Sequence, residues 1–195
     1  KYIITLKTWS DNGTLYTTKD SVEIIATAAI LKADNYYSCN AKQITLSAAV
    51  KNIPVYVWDF GDGTIVNATD SFAAHFYNNA GIYNPRLMLT DVNGCNSSVN
   101  LDKPIVIDYL SVALPGFPQS ICSPKEVLFN PAVISIAGNQ SPQSLSYHWD
   151  FGTGKPADTS NISNPSFLYP TKGTYPVTLK VQSPYGCLKE VSTTI

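Results

Sequence analysis

Apolar and polar residues alternate with period two in short runs along most of the chain, and few segments carry the 3.6-residue period of a helix. In "VYVWDFGDGT", residues 55–64, the aromatics Tyr56, Trp58 and Phe60 alternate with Val57 and Asp59 and so share one face of a strand. Tyr147, Trp149 and Phe151 do the same in "SYHWDFGTGK", residues 146–155. A face of three aromatics has to be core. Further on, "GIYNPRLMLT" places Tyr83, Pro85, Leu87 and Leu89 on one side, and "GTYPVTLKV" places Tyr175, Val177, Leu179 and Val181 there. Each run leads into a glycine turn, "VNGC" or "PYGC", and the Asn93-Gly94 pair is expected to set the register of a hairpin. Proline cannot donate to a sheet ladder, so Pro85 predicts an edge or a bulge. At the start of the chain, Tyr2, Ile4, Leu6 and Thr8 define an inward set, which sends Trp9 outward.

The patterns recur at a fixed distance. Tyr77, Gly81, Tyr83, Leu87, Gly94 and Cys95 each find their like 92 residues later in Tyr169, Gly173, Tyr175, Leu179, Gly186 and Cys187. Tyr2, Leu6 and Gly13 match Tyr83, Leu87 and Gly94 at a spacing of 81. A unit of about 80 to 90 residues is too long for a solenoid repeat and suits an independent domain. The reading is therefore the last strands of one domain in 1–26, a complete domain in 27–108, and a third in 109–195 that is expected to lack part of its final strand. Seven or so short strands per unit predict an all-β chain of tandem Ig-like β-sandwiches. Gly-x-Tyr at the head of the late strand fits the tyrosine corner of that architecture, but Pro85 stands two residues after Tyr83 where an antibody domain has cysteine.

Composition narrows the function. Thirteen Lys and Arg against fourteen Asp and Glu give a net charge of −1, which removes the electrostatic term behind most binding to nucleic acid and anionic lipid. The nearly apolar run "IIATAAIL", from Ile24 to Leu31, is far shorter than the roughly 20 residues of a spanning helix. Membrane insertion of this segment is not expected. A Lys1 start followed by strand-like alternation lacks the form of a signal peptide, so the chain reads as a piece of something longer.

The stretch "WDFGDGT", followed by "HFY" and by "GIYNPRLMLT", resembles the polycystic kidney disease (PKD) domain family, whose hallmark is that strand and turn, then H-x-Y, then G-x-Y. The structural motif carried over comprises Trp58, Asp59, Phe60, Gly61, Asp62, Gly63 and Tyr83, with Trp149, Asp150, Phe151, Gly152 and Tyr175 in the second copy. That copy departs from the pattern at Thr153, in the place of Asp62, and at Phe167, in the place of His75. The added cysteine pair in each unit resembles PKD arrays of large surface and secreted proteins of the Bacteroidota. Many of those are adhesins or gliding-motility proteins exported by the type 9 secretion system.

Four cysteines allow three pairings. Their placement, two per domain at matching positions, favours Cys39 with Cys95 and Cys122 with Cys187, the alternative being buried free thiols. Each bridge would close a loop worth about 4 kcal/mol in the chain-entropy account and would persist only in an oxidising compartment. The expected location is extracellular: the cell surface, in association with the outer membrane, or the secreted fraction. A cystine between the middle and final units would contradict separately cross-linked domains.

Asp59 and Asp62 flank Gly61 and are the candidate calcium ligands, with Asp91 or Asp70 in support. The rival reading, capping of turn amides, is favoured because Asp62 becomes Thr153. No cofactor is expected otherwise. Only His75 and His148 exist, in non-equivalent places, and no G-x-S-x-G, H-E-x-x-H, C-x-x-C or phosphate loop occurs, so no catalytic residue is expected. Trp9 is the candidate ligand contact, since an exposed indole stacks on sugar or anchors a partner. Sequons at Asn12, Asn67, Asn96, Asn139 and Asn161 occur at the level chance supplies.

The leading expectation is a stalk of tandem, disulfide-stapled modules, with neighbouring domains of the same chain as partners. The segment "DYLSVALPGFP", with its two prolines and no Gly/Ser stretch, reads as a short stiff joint. A rival is a module of a secreted hydrolase that binds polysaccharide or a surface protein through Trp9, Tyr36 and Tyr37. A third is assembly, in which the apolar N-terminal hairpin pairs with another sheet edge.

Overall fold

The structure is a computed structural model and describes residues 2–22, 29–50, 53–116, 122, 124–135 and 145–195. The expected boundary at 26/27, most of the run from Ile24, Asn139 and the Phe117-Pro118 end of the proline segment lie outside the described residues.

Every element among the described residues is a strand. A hairpin of β1 (Tyr2–Trp9) and β2 (Leu15–Val22) comes first. The middle unit follows with β3 (Ile30–Ala33), β4 (Tyr37–Ser38), β5 (Lys42–Ala49), β6 (Val55–Asp59), β7 (Ile65–Ala68), β8 (Phe72–Tyr77), β9 (Gly81–Tyr83), β10 (Arg86–Thr90), β11 (Asn96–Asn100) and β12 (Ile105–Ile107). The last unit holds β13 (Leu110–Ala113), β14 (Lys125–Leu128), β15 (Ala132–Ser135), β16 (Ser146–Asp150), β17 (Thr159–Ser160), β18 (Ser166–Tyr169), β19 (Pro176–Gln182) and β20 (Leu188–Thr194).

The middle unit sets the sheet β11-β10-β6-β7 against β3-β5-β8, with β4-β12-β9 as a third, short sheet. The last unit repeats this with β17-β16-β19-β20 against β14-β18 and β13-β15. The register shows the equivalence directly: Lys42 opposes Tyr77 as Lys125 opposes Tyr169, and Leu87 opposes Trp58 as Leu179 opposes Trp149.

Each unit has its own core. Trp58 is 0% exposed among Ile44, Leu46, Phe60, Tyr77, Leu87, Leu89 and Ile105. Trp149 is likewise 0% exposed among Phe129, Phe151, Tyr169, Val177, Leu179 and Val181. The predicted aromatic faces of β6 and β16 are thus the interior of two separate sandwiches. Pro85 is buried and breaks the late strand into β9 and β10, while the edge partner is broken into β11 and β12 opposite it. A bulge forms there because Pro85 has no N–H to give, and its carbonyl instead accepts from Leu101 at 2.9 Å.

The N-terminal hairpin departs from expectation. Alternation predicts Tyr2, Ile4 and Leu6 inward, yet they are as exposed as Ile3 and Trp9 on the opposite face. A two-stranded sheet buries a face only against a further layer, and no described residue supplies one.

Candidate functional site

Three glycine turns close the long hairpins in one geometry. Gly13, Gly94 and Gly186 have φ of 80°, 80° and 84°, and their N–H groups donate to the carbonyls of Ser10, Asp91 and Ser183. That is a turn followed by a left-handed glycine bulge. In each, the side chain of the first residue also accepts the N–H four residues on: Ser10 from Thr14, Asp91 from Cys95 and Ser183 from Cys187. The N-terminal hairpin therefore shares its turn geometry with the late hairpins of the two sandwiches.

In the W-D-F-G turns, Asp59 accepts the Gly61 N–H through Oδ1 at 3.0 Å and the Arg86 Nε–H through Oδ2 at 2.8 Å. Asp62 accepts the Thr64 N–H at 2.9 Å, and its Oδ2 lies 2.7 Å from His75 Nε2. All four carboxylate oxygens that a calcium ion would draw on have donors from the protein. Burial pushes the Asp62 carboxyl up, but the hydrogen bonds from His75 and Thr64 outweigh it and hold the group below its usual value. In the second copy Asp150 accepts from Gly152, and Thr153 takes over from Asp62, accepting the Lys155 N–H at 3.2 Å and donating to Asp158 at 2.7 Å. Among the described residues no three His, Cys, Asp or Glu side chains come together as a metal cluster.

His75 serves packing as well as hydrogen bonding. Its ring stacks on Phe60 at 4.3 Å and 17°, and Phe167 stacks on Phe151 at 4.3 Å and 18°. A flat ring is what both positions require. Tyr77 and Tyr169 below them donate to the carbonyls of Phe60 and Phe151, and burial pushes both phenols upward. The tyrosine corner is present in both units, with Tyr83 donating to Asn79 O at 2.7 Å and Tyr175 to Thr171 O at 2.8 Å. The ring lies so close over Gly81 that a Cβ there would sit 2.9 Å from it, which explains the glycine two residues before each tyrosine. His148 is exposed and pairs with Asn161 at 3.1 Å. Trp9 is 67% exposed on a hairpin with nothing packed over it among the described residues.

The cysteines correct the sequence reading. Cys39 is joined to Cys187, across the two units, with Cα atoms 5.4 Å apart and a sequence separation of 148. Cys95 and Cys122 are free and exposed. Strand polarity explains why neither intra-unit pair forms. Cys39 follows Ser38, which pairs with Ile107, itself opposite Gly81. Cys95 closes the turn after Thr90, so roughly 30 Å of strand lies between them at about 3.3 Å per residue, against the ~7 Å a disulfide allows. The two cysteines of one unit stand at opposite ends of it. The Cys39 end of the middle unit instead meets the Cys187 turn of the last. Separate cross-linking of each unit is thereby overturned, although the separate cores remain.

Several contacts besides the cystine hold the joint. Only Asp108 and Tyr109 separate β12 from β13, so the first strand of the last unit starts sooner than the proline segment suggested. Tyr37 stacks on Tyr185 at 4.7 Å and 24°. Asp108 is buried, donates its N–H to Ser38 O at 2.7 Å and accepts the Ser135 hydroxyl at 3.2 Å, which ties both units to one residue. The sequence carried no direct signal for Tyr37–Tyr185 or Asp108–Ser135. The cystine was recoverable by asking at which end of a sandwich each cysteine lies.

Fold and joint together define a pair of tandem Ig-like β-sandwich modules. The profile of the PKD domain matches residues 27–106 and 112–195, and the chain belongs to that family. Solved structures of similar fold include the three N-terminal domains of the Highly Immunogenic Outer Capsid protein (Hoc) of bacteriophage RB49, at 16% identity and a TM-score of 0.42. That alignment covers 87% of this chain and 59% of the other, so the chain spans little more than half of that structure. Fibronectin(III)-like modules of Clostridium thermocellum CbhA align at 11% identity, covering 85% of this chain and 93% of theirs, with a TM-score of 0.38. Carbohydrate-binding modules of the β-sandwich superfamily align at 14% identity over 88% of this chain and 85% of theirs, with a TM-score of 0.43. No helix among the described residues is long and apolar enough to cross a membrane.

Proposed function

We propose that the two units are non-enzymatic structural modules of an extracellular stalk, holding an adhesive or enzymatic tip of a large surface protein away from the cell. In the finer reading the parent is an adhesin of the gliding-motility kind, exported by the type 9 secretion system. The observation that carries the stalk is the joint: a two-residue connection clamped by Cys39–Cys187 and by Tyr37 on Tyr185. A joint held at three points resists bending, and stiff joints in series make a rod. Cystine formation also requires an oxidising compartment, which supports export. Small-angle scattering tests the reading. The oxidised chain should give an elongated profile that broadens after Cys39→Ser, and a profile equally broad before and after it would argue against a stalk.

A second reading rests on Trp9, whose indole stands in solvent opposite Leu15. In it the hairpin face binds polysaccharide or a surface protein. Saturable binding of a soluble polysaccharide that is lost in Trp9→Ala would favour this reading, and no binding by the intact chain would remove it.

A further inference from the structure

We infer that Cys95 and Cys122 are the open halves of the same clamp that Cys39 and Cys187 close, and that each forms a disulfide with a cysteine of a flanking module. Three observations carry this. First, the free cysteines are structural equivalents of the bonded ones. Cys122 lies three residues before Lys125 as Cys39 lies three before Lys42, and the two lysines oppose equivalent tyrosines. Cys95 and Cys187 each follow a left-handed hairpin glycine and donate their N–H to the first residue of the turn. Secondly, the bonded pair joins a first-loop cysteine of one module to a hairpin-turn cysteine of the next. Applied once more in each direction, that rule gives Cys95 a first-loop cysteine of a preceding module and Cys122 a hairpin-turn cysteine of a following one. Thirdly, both free thiols are exposed at the outer ends of the two-module segment. Cys95 sits at the end of the middle unit where Thr90 opposes both Val55 and Asn96, and Cys122 at the end of the last unit where Ile195 pairs with Tyr175. With the Cys39 end of one unit bonded to the Cys187 turn of the other, Cys95 and Cys122 belong to the two remaining ends and are unpaired with each other.

The N-terminal hairpin fits the scheme and adds a detail. Its turn has the Gly13 geometry but carries Thr14 where Cys95 and Cys187 stand. That turn therefore offers no thiol, and the scheme places no rung there. Each rung forms by oxidation of two thiols, losing two protons and two electrons to the disulfide-generating oxidant of the exporting compartment.

The inference rests on the tandem-array reading, and cystine mapping separates the two, because an array can be rod-like with these thiols left free. The full-length protein, isolated from its source without reduction and with thiols blocked at lysis, is digested and its cross-linked peptides are read by mass spectrometry. The expected map holds Cys39–Cys187, with Cys95 and Cys122 each joined to a cysteine outside residues 1–195 on the same polypeptide. Recovery of either residue as a blocked free thiol overturns the ladder. So does a bond from either to Cys39, to Cys187 or to each other, or a cross-linked dimer on a non-reducing gel. In the 195-residue chain alone, native labelling should consume two thiols, at Cys95 and Cys122, and consumption of none overturns it equally.

Discussion

At the residue scale, the W-D-F-G turn shows one glycine that close contact and backbone conformation both require and one that backbone conformation alone explains. Gly61 has φ +79° and a Cβ there would lie 2.8 Å from the backbone N of Asn84, whereas Gly63 has φ +94° and open space around it. Gly61→Ala should therefore lose on the order of 3 kcal/mol, from left-handed strain plus overlap with strand backbone that cannot move, and Gly63→Ala about 1 kcal/mol. Urea unfolding of the two variants checks the ratio; equal losses would mean that contact with Asn84 does not matter. The Asp62–His75 pair makes a pH prediction of definite sign. The Asp62 carboxyl is held below its usual value, so its contribution is present above the ordinary carboxylate range and is lost as pH falls through the depressed value. Stability of the wild-type chain should fall more steeply below pH ~4 than that of Asp62→Asn, measured as the urea midpoint at several pH values.

At the element scale, the tyrosine corner joins two crossings of the sandwich through a single hydroxyl. Tyr83→Phe removes a donor to Asn79 O while leaving the ring on Gly81, and should cost about 1 kcal/mol in thermal or urea unfolding, with Tyr175→Phe costing a similar amount in the last unit. Most of this level was legible in the sequence. Period-two alternation placed Trp58, Leu87 and Leu89 inward, and Pro85 marked the bulge, because each depends on a local rule that one strand obeys by itself. The hairpin at Tyr2 to Val22 was legible as strands but not as to burial, since whether a face is covered depends on a second layer rather than on the strand. The disulfides were misread for a related reason. Placement within each unit showed that Cys39 matches Cys122 and Cys95 matches Cys187, which is a statement about equivalence, and pairing is a statement about which ends of two modules meet. Thr153 and Phe167, which depart from the family pattern, keep the same turn cap and the same ring stack, so a change of residue type there did not mean a change of structure.

At the scale of the whole molecule, two cores and one cross-link between them decide what the cystine can stabilise. Were the chain a single cooperative unit, closing a loop of 148 residues would contribute about 5 kcal/mol by chain entropy. Trp58 and Trp149 lie in different clusters, however, and each sandwich completes its own ladders, so unfolding one unit does not require the other to unfold. The cross-link then restrains the joint more than the folds. In a Trp9→Phe background, which removes the exposed indole, Cys39→Ser should leave tryptophan emission at its buried wavelength and lower the unfolding free energy of either unit by less than about 1 kcal/mol, far below the single-unit figure. The same substitution should widen the distribution of distances between labels placed one in each module. A loss near 5 kcal/mol with a single sharp transition would mean that the modules fold as one body, and the joint would then be part of a shared core rather than a clamp between two.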